Sequence, residues 1–319
     1  MKKILIIQTA FIGDVILATG LTKKLGEKYP DAQIDFLLRK GNESLLKNNP
    51  FVNEVIVWDK KGGKYKNLYS ILKQVRKQKY DHLFNLQRFG ATGLLTWFSK
   101  AKEKVGFKKN PFSFSYHKKI EHSLDKGLHE VERNNLLIEH ITGSSTPKPV
   151  IFPNVLDEKI VSSYKEVSYI CIAPTSIWFT KQVPVEKWLE LIKTLNTKVY
   201  LLGAPSDKEA CNKIIEKVNN VEIENLAGEL TLLQSAALMK NAQMNYVNDS
   251  APMHLCSAVN ANVTAVYCST IPEFGFGPLS DNSKVIQIEE ELSCRPCGLH
   301  GFKSCPKRHF NCAHKIKWI

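Results

Sequence analysis

The chain is short of acid. Its 319 residues carry 31 Asp and Glu against 44 Lys and Arg, a net charge of +13. Such a surplus attracts nucleic acid, an anionic membrane or a phosphorylated substrate. Long apolar runs are missing as well, and no stretch approaches the roughly 18 residues of a membrane-spanning helix. Lys2 and Lys3 precede an apolar run, but Ile4–Ile7 gives way at once to Gln8 and Thr9. That run is too short for the core of a secretory leader, so a cytoplasmic location is expected. The turn after it reads QTAFIGD and lacks a GxGxxG, and no GxxxxGK[ST] occurs anywhere. A dinucleotide dehydrogenase and a P-loop ATPase both lose support. No Asp-x-Asp follows a strand either, so neither a metal on a diphosphate nor any other cofactor is expected.

What is present is an alternation of strands and helices. Residues 4–21, ILIIQTAFIGDVILATGL, read as a buried strand, a tight turn and a helix opening at Ile12. Further strands are expected at 33–38, 54–58 and 80–86, with a helix over 68–78 between the last two. Thr142–Asn154 carries Gly, Ser and three prolines without helical period and reads as a linker. A second alternating series follows, with strands at 168–174, 198–203, 244–249, 263–268 and 284–289. The expected fold is therefore α/β, two Rossmann-like domains over 1–150 and 151–319 with parallel sheets facing across a cleft.

Ligands of such sheets bind at the carboxyl ends of the strands. Gly13 and Asp14 sit at the first of these ends, where an Asp in a helix's first turn has a dipole role by default. A helix start would also hold its pKa low and weaken it as a base. Four strand ends of the second series carry polar residues. The first has Thr175, Ser176 and Lys181, hydroxyls and an ammonium suited to a diphosphate. The second is the turn Gly203–Asp207, with Ser206 as a helix cap and Asp207 or Glu209 able to accept from ribose hydroxyls. At the third, Asp249 and Ser250 begin a helix with Pro252 in its first turn and His254 behind it. The last is a Gly- and Pro-rich loop from Thr270 to Pro278. Together they describe a nucleotide-diphosphate site.

These residues resemble a known family. IGDVILATG, the segment Thr175–Trp188, GAPSDKE, LAGELTL and NDSAPMHL, in this order across nearly the whole chain, are similar to the bacterial ADP-heptose:lipopolysaccharide heptosyltransferases of glycosyltransferase family 9, the heptosyltransferase II type among them. The resemblance implies the GT-B architecture, with acceptor bound by the first domain and nucleotide sugar by the second. It implies inverting transfer of a heptose from ADP-heptose to the inner core of lipopolysaccharide, with Asp14 as general base. Thr175, Ser176 and Lys181 would hold the diphosphate, Asp207 the ribose, and Leu230 would lie beside the adenine. Asp249, Ser250 and His254 fall on the family's D-[ST]-G-x-x-H segment, from which this chain departs by having Ala251 in place of Gly. The partners so implied are an ADP-sugar, an anionic lipopolysaccharide precursor and the cytoplasmic face of the inner membrane. A monomer that does not bind nucleic acid is expected.

On the acceptor side, seven lysines between Lys100 and Lys119, Lys108 and Lys109 among them, alternate with aromatic residues. That mixture suits an anionic amphiphile or an irregular loop over a core edge. His129, Glu130 and Arg133 open a helix as acceptor contacts or as a solvent-facing surface. Near the C-terminus stand Cys294, Cys297, Cys305 and Cys312, whose first pair has a zinc-like spacing and whose second does not. Reduced thiols are the expectation there, with zinc the alternative. Two other functions stay open: a nucleotide-sugar 2-epimerase on the same fold, and a non-enzymatic zinc- or nucleic-acid-binding protein.

Overall fold

The computed structural model describes residues 1–124, 127–219 and 221–318. It divides into two compact units, Met1–Phe152 and Pro153–Ile319.

The first unit is built on six parallel strands: β1 (Lys3–Ile7), β2 (Gln33–Arg39), β3 (Glu54–Trp58), β4 (His82–Asn85), β5 (Glu103–Phe107) and β6 (Lys118–Ile120), in the order β3-β2-β1-β4-β5-β6. Ile4, Leu5, Ile6 and Ile7 are all fully buried, which is why β1 reads as a continuous apolar run and sits at the centre with helices on both sides. Helix α1 (Ile12–Lys28) follows β1, α2 (Lys64–Gln78) follows β3, α3 (Gly90–Phe98) follows β4, and α4 (Glu130–Asn135) lies beyond β6. Leu68, Ile71 and Val75 turn one stripe of α2 onto a core that contains Leu5, Ile7, Leu37 and Trp58. The basic stretch, for which an irregular loop was one of two readings, contributes β5 and β6. Their short, charge-flanked sequences pair through Val105–Lys118 and Phe107–Ile120 at the sheet edge, where only half of each strand needs to be apolar.

The second unit repeats the plan with β7 (Tyr169–Ala173), β8 (Lys198–Leu201), β9 (Ile223–Asn225), β10 (Asn245–Asn248), β11 (Val263–Tyr267) and β12 (Ser283–Gln287), in the order β12-β11-β10-β7-β8-β9. All are parallel. Its core takes in the C-terminal tail: Phe310, Cys312, Ala313 and Ile316 are buried against Val266, Cys268 and Trp188. Among the described residues no helix is long and apolar enough to cross a membrane.

Candidate active site

In each sheet the strand order reverses beside the central strand, between β1 and β4 and between β7 and β10. Two neighbouring strands whose connections leave in opposite directions open a crevice at their carboxyl ends, the usual place for a ligand.

In the first unit that crevice holds Asp14. It is the third residue of α1, and its Oδ2 accepts the Phe11 N–H at 3.2 Å, closing the helix's first turn. Gly13 precedes it, partly exposed. The capping role is therefore real, but the expected low pKa is not. Burial, with the nearby charge of Glu130 adding to it, raises the Asp14 carboxyl to about 6 against the pull of the Phe11 and Asp14 N–H groups and of Arg88. Desolvation outweighs the two N–H groups of the helix start.

Behind Asp14 stands a buried ionic chain that sequence reasoning missed. Arg88, just past β4, places Nη1 3.3 Å from His122 Nδ1. His122 Nε2 lies 3.5 Å from Glu130 Oε2, which in turn accepts from Arg133 Nε at 2.7 Å. Arg133 also donates to the Leu128 carbonyl. His122, Glu130 and Arg133 are 2%, 5% and 1% exposed, so the solvent-facing reading of this helix start is wrong. Arg133 is enclosed in the chain and is not a free acceptor contact. Burial pushes Glu130 upward, but the bonds from His122 and Arg133 outweigh it and hold the carboxyl below its ordinary range. The missed signal was HEVERN itself: acids and a base at i, i+3 spacing pair with each other on one helix face. Glu130→Gln is expected to destabilise by about 3–5 kcal/mol, since it strands Arg133 in the interior. It should also lower the pH at which activity falls off on the acid side, because the charge that raises Asp14 is gone. Urea denaturation and a pH–rate profile check the two effects. Lys108 and Lys109 follow β5 on the same sheet edge; both are exposed, and Lys108 reaches Glu121 at 2.5 Å.

In the second unit the expected residues gather on one edge. Thr175 and Ser176 follow β7. The Thr175 carbonyl accepts from Asn248 Nδ2 at 3.3 Å and the Ser176 carbonyl from Gln182 Nε2 at 2.6 Å, so the loop is fixed through its backbone while, among the described residues, the hydroxyls stay uncommitted. Lys181 Nζ lies 2.6 Å from Asp249 Oδ2, past the end of β10, and Thr270 Oγ1, past β11, donates to the same oxygen at 2.6 Å. Side chains from three strand ends thus meet at one carboxylate, and Asp249 holds Lys181 in place. Ser250, in extended conformation, begins the helix Ala251–Val259 with Pro252 in its first turn, and His254 is 6% exposed within it.

At the other side of the sheet Asp207 Oδ2 accepts the Ala204 N–H at 2.8 Å. The helix Lys208–Ile215 starts from Asp207, and Ser206 is not its cap, because Pro205 opens a 3₁₀ turn one residue too early for that. Gly228, with a φ of +82°, packs on Pro205 and donates to the Gly203 carbonyl at 2.9 Å. That contact carries Leu230, partly exposed, to the edge that holds Asp207.

The four C-terminal cysteines line a cavity of about 230 Å³ together with His309 and Phe310. Among the described residues no three His, Cys, Asp or Glu side chains are grouped so as to hold a metal ion. Cys297 Sγ faces the Cys294 carbonyl at 3.5 Å, and burial pushes the Cys312 thiol up to about 12. The tail also has a structural part. The Phe302 N–H donates to Thr180 Oγ1 at 2.7 Å and the Thr180 N–H to the Phe302 carbonyl at 3.1 Å, binding the tail to the residue before Lys181. Gly301, with a φ of +77°, makes room for this, since a Cβ there would stand 2.8 Å from Thr180 Oγ1. Gly301→Ala is expected to cost on the order of 1–3 kcal/mol and to raise the donor KM severalfold through Lys181. Thermal melting and steady-state kinetics measure both.

Residues 68–300 match the family model described as glycosyltransferase family 9 (heptosyltransferase). The chain is similar to lipopolysaccharide heptosyltransferase 2 of Escherichia coli K12, 26% identical over 90% of this chain and 88% of the relative. With lipopolysaccharide heptosyltransferase 3 of the same strain the identity is 28%, over 81% of this chain and 80% of the relative. The solved structure of E. coli ADP-heptose LPS heptosyltransferase II superposes with a TM-score of 0.79 at 23% identity, covering 99% of this chain and 98% of that one.

Proposed function

The chain belongs to glycosyltransferase family 9, and on that premise we propose that it moves a heptose from ADP-heptose to the inner core of a lipopolysaccharide precursor, with inversion at the anomeric carbon. The observation that carries the chemistry is Asp14, a partly buried carboxylate held at about 6 in the crevice of the first unit. A base is most effective with a pKa near the working pH. Asp14 is ionised at neutral pH and strong enough to take the proton of an acceptor hydroxyl as that oxygen attacks. The bond from the anomeric carbon to the ADP oxygen breaks on the opposite face.

The leaving diphosphate gathers negative charge, and the second unit supplies its counterpart. Lys181, held by Asp249, together with the Thr175 and Ser176 hydroxyls and the N–H groups opening the helix after Ser250, stabilises that charge without a metal. His254 lines the same helix start. Asp207 Oδ1, which has no hydrogen-bond partner among the described residues, accepts from ribose hydroxyls, and Leu230 lies against the adenine. Lys108 and Lys109 attract the anionic acceptor toward Asp14. The protein works as a monomer at the cytoplasmic face of the inner membrane and needs no cofactor. Family membership and the heptosyltransferase relatives favour transfer over the epimerase and nucleic-acid readings.

Incubation with ADP-heptose and heptose-deficient lipopolysaccharide, followed by mass spectrometry, tests the reading. The expected product is heavier by one heptose, with ADP released in equal amount. Transfer from other nucleotide sugars but not from ADP-heptose would overturn the donor.

A further inference from the structure

One face of the first unit carries exposed aromatic rings. Helix α2 has five Lys or Arg in 15 residues and no acidic residue, and while its apolar stripe is buried, Tyr65 and Tyr69 stand 75% and 60% exposed on the outside. Helix α3 packs beside it, joined where Arg76 Nη1 donates to the Phe98 carbonyl at 3.2 Å. Past that joint lies an aromatic cluster. Trp97 has ring centroids 4.6, 5.8 and 5.2 Å from Phe98, Phe112 and Phe114. Trp97 is 40% exposed, Phe98 41% and Phe114 61%, so the rings pack on each other and still face outward.

The rim is basic. Lys100 and Lys119 are exposed and, among the described residues, have no carboxylate partner; Lys66, Lys73 and Lys77 extend the charge along α2. An exposed apolar patch of this kind marks an interaction surface. Trp and Tyr rings favour the boundary between headgroups and acyl chains, and a basic amphipathic helix beside them favours an anionic surface. A globular partner would require matching shape and opposing acids placed one by one; a bilayer requires only what is present, shallow aromatic rings inside a field of lysines.

We propose that the outer faces of α2 and α3, with the β5–β6 connection, dock this protein on an anionic phospholipid bilayer, Trp97, Phe98 and Phe114 entering the headgroup boundary. This deepens the reading above, resting on it only for the lipid-anchored nature of the acceptor, and substrate-free vesicles test it separately from transfer.

The experiment is sedimentation of the full chain with phosphatidylglycerol-containing vesicles and with pure phosphatidylcholine vesicles, at low and high salt. The expected result is binding to the anionic vesicles, released by salt, with little to phosphatidylcholine. Replacing Lys66, Lys73, Lys100 and Lys119 together by Glu should cut partitioning at least a hundredfold. Brominated lipid should quench tryptophan fluorescence in the parent protein and much less in Trp97→Phe, a variant that keeps the aromatic packing. Equal binding to both vesicle types, no binding, or undiminished binding of the four-lysine variant would overturn the proposal. So would a concentration-dependent dimer that Phe114→Ser abolishes in a protein that ignores vesicles, since the face would then join two copies of the chain.

Discussion

Asp14→Asn should lose about 10²–10⁴-fold in kcat and become more stable at neutral pH. The loss follows from removing the base: the amide fills the same space and can still accept the Phe11 N–H, but it cannot take the acceptor proton. The gain follows from linkage. Asp14 has a folded-state pKa of about 6 against 3.8 in an unfolded chain, so the folded protein binds more protons between those values. Stability therefore declines as pH rises from about 4 to about 6. Above that window the ionised carboxylate costs at most about 3 kcal/mol, a shift of two pH units at 1.36 kcal/mol each. Asparagine carries no such charge. Thermal melts should show the variant ahead of the parent at pH 7.5 and level with it near pH 4, while product formation shows the activity lost. Full activity in the variant would remove Asp14 from the mechanism, and equal melting at pH 7.5 would remove the argument that its charge is held at a cost. The parent's own activity should fall as pH drops through about 6.

Lys181→Ala should reduce kcat/KM for the sugar nucleotide by about 10²–10³-fold, the cost of losing one preorganised charge partner of a transition state. The lysine is positioned: Asp249 holds its ammonium at 2.6 Å, and Thr270 donates to the same oxygen. Asp249→Asn keeps the bond to Thr270 but releases Lys181, so it should cost less, about tenfold. Combined with Lys181→Ala it should add little, because a residue acting through another has nothing left to act on. A double variant showing the full product of both losses would mean that Asp249 contributes by itself.

How much of this the sequence carried depended on scale. Continuous apolar runs such as Ile4–Ile7 and Tyr169–Ala173 announced the central strands, because strands buried on both faces leave no choice of residue. Strands β5, β6 and β9, at or next to a sheet edge, escaped, since they are three to five residues long and carry charge. In the second unit, Thr175 and Asp249 drew attention because each closely follows a strand end, and Lys181 and Asp207 because they lie in the loops that leave β7 and β8. The clasp of Lys181 by Asp249, 68 positions away, was not, because two loops from different strands make it. The chain Arg88–His122–Glu130–Arg133 was hidden for the same reason, its members being spread over 45 positions and met only in the fold. Asp14's pKa was misjudged because the sequence shows the helix start but not the depth of burial, and here depth dominates.

The repeated strand order also governs how the protein is made. β1 lies between β2 and β4, so its sheet closes only when residue 82 is available, and the edge strand β6 follows by residue 120. Every strand pairing of that sheet lies within the first 152 residues, and the central strand of the next unit begins at Tyr169. During synthesis the first unit can bury its core while β7 is still leaving the ribosome, and domains generally fold as units in that order. β7 then needs β10, more than 70 residues later, before its own sheet is complete. The N-terminal half therefore folds early, and the long wait in biosynthesis falls on the half that carries all eight cysteines, of which Cys171 and Cys211 are made before β10 can cover them.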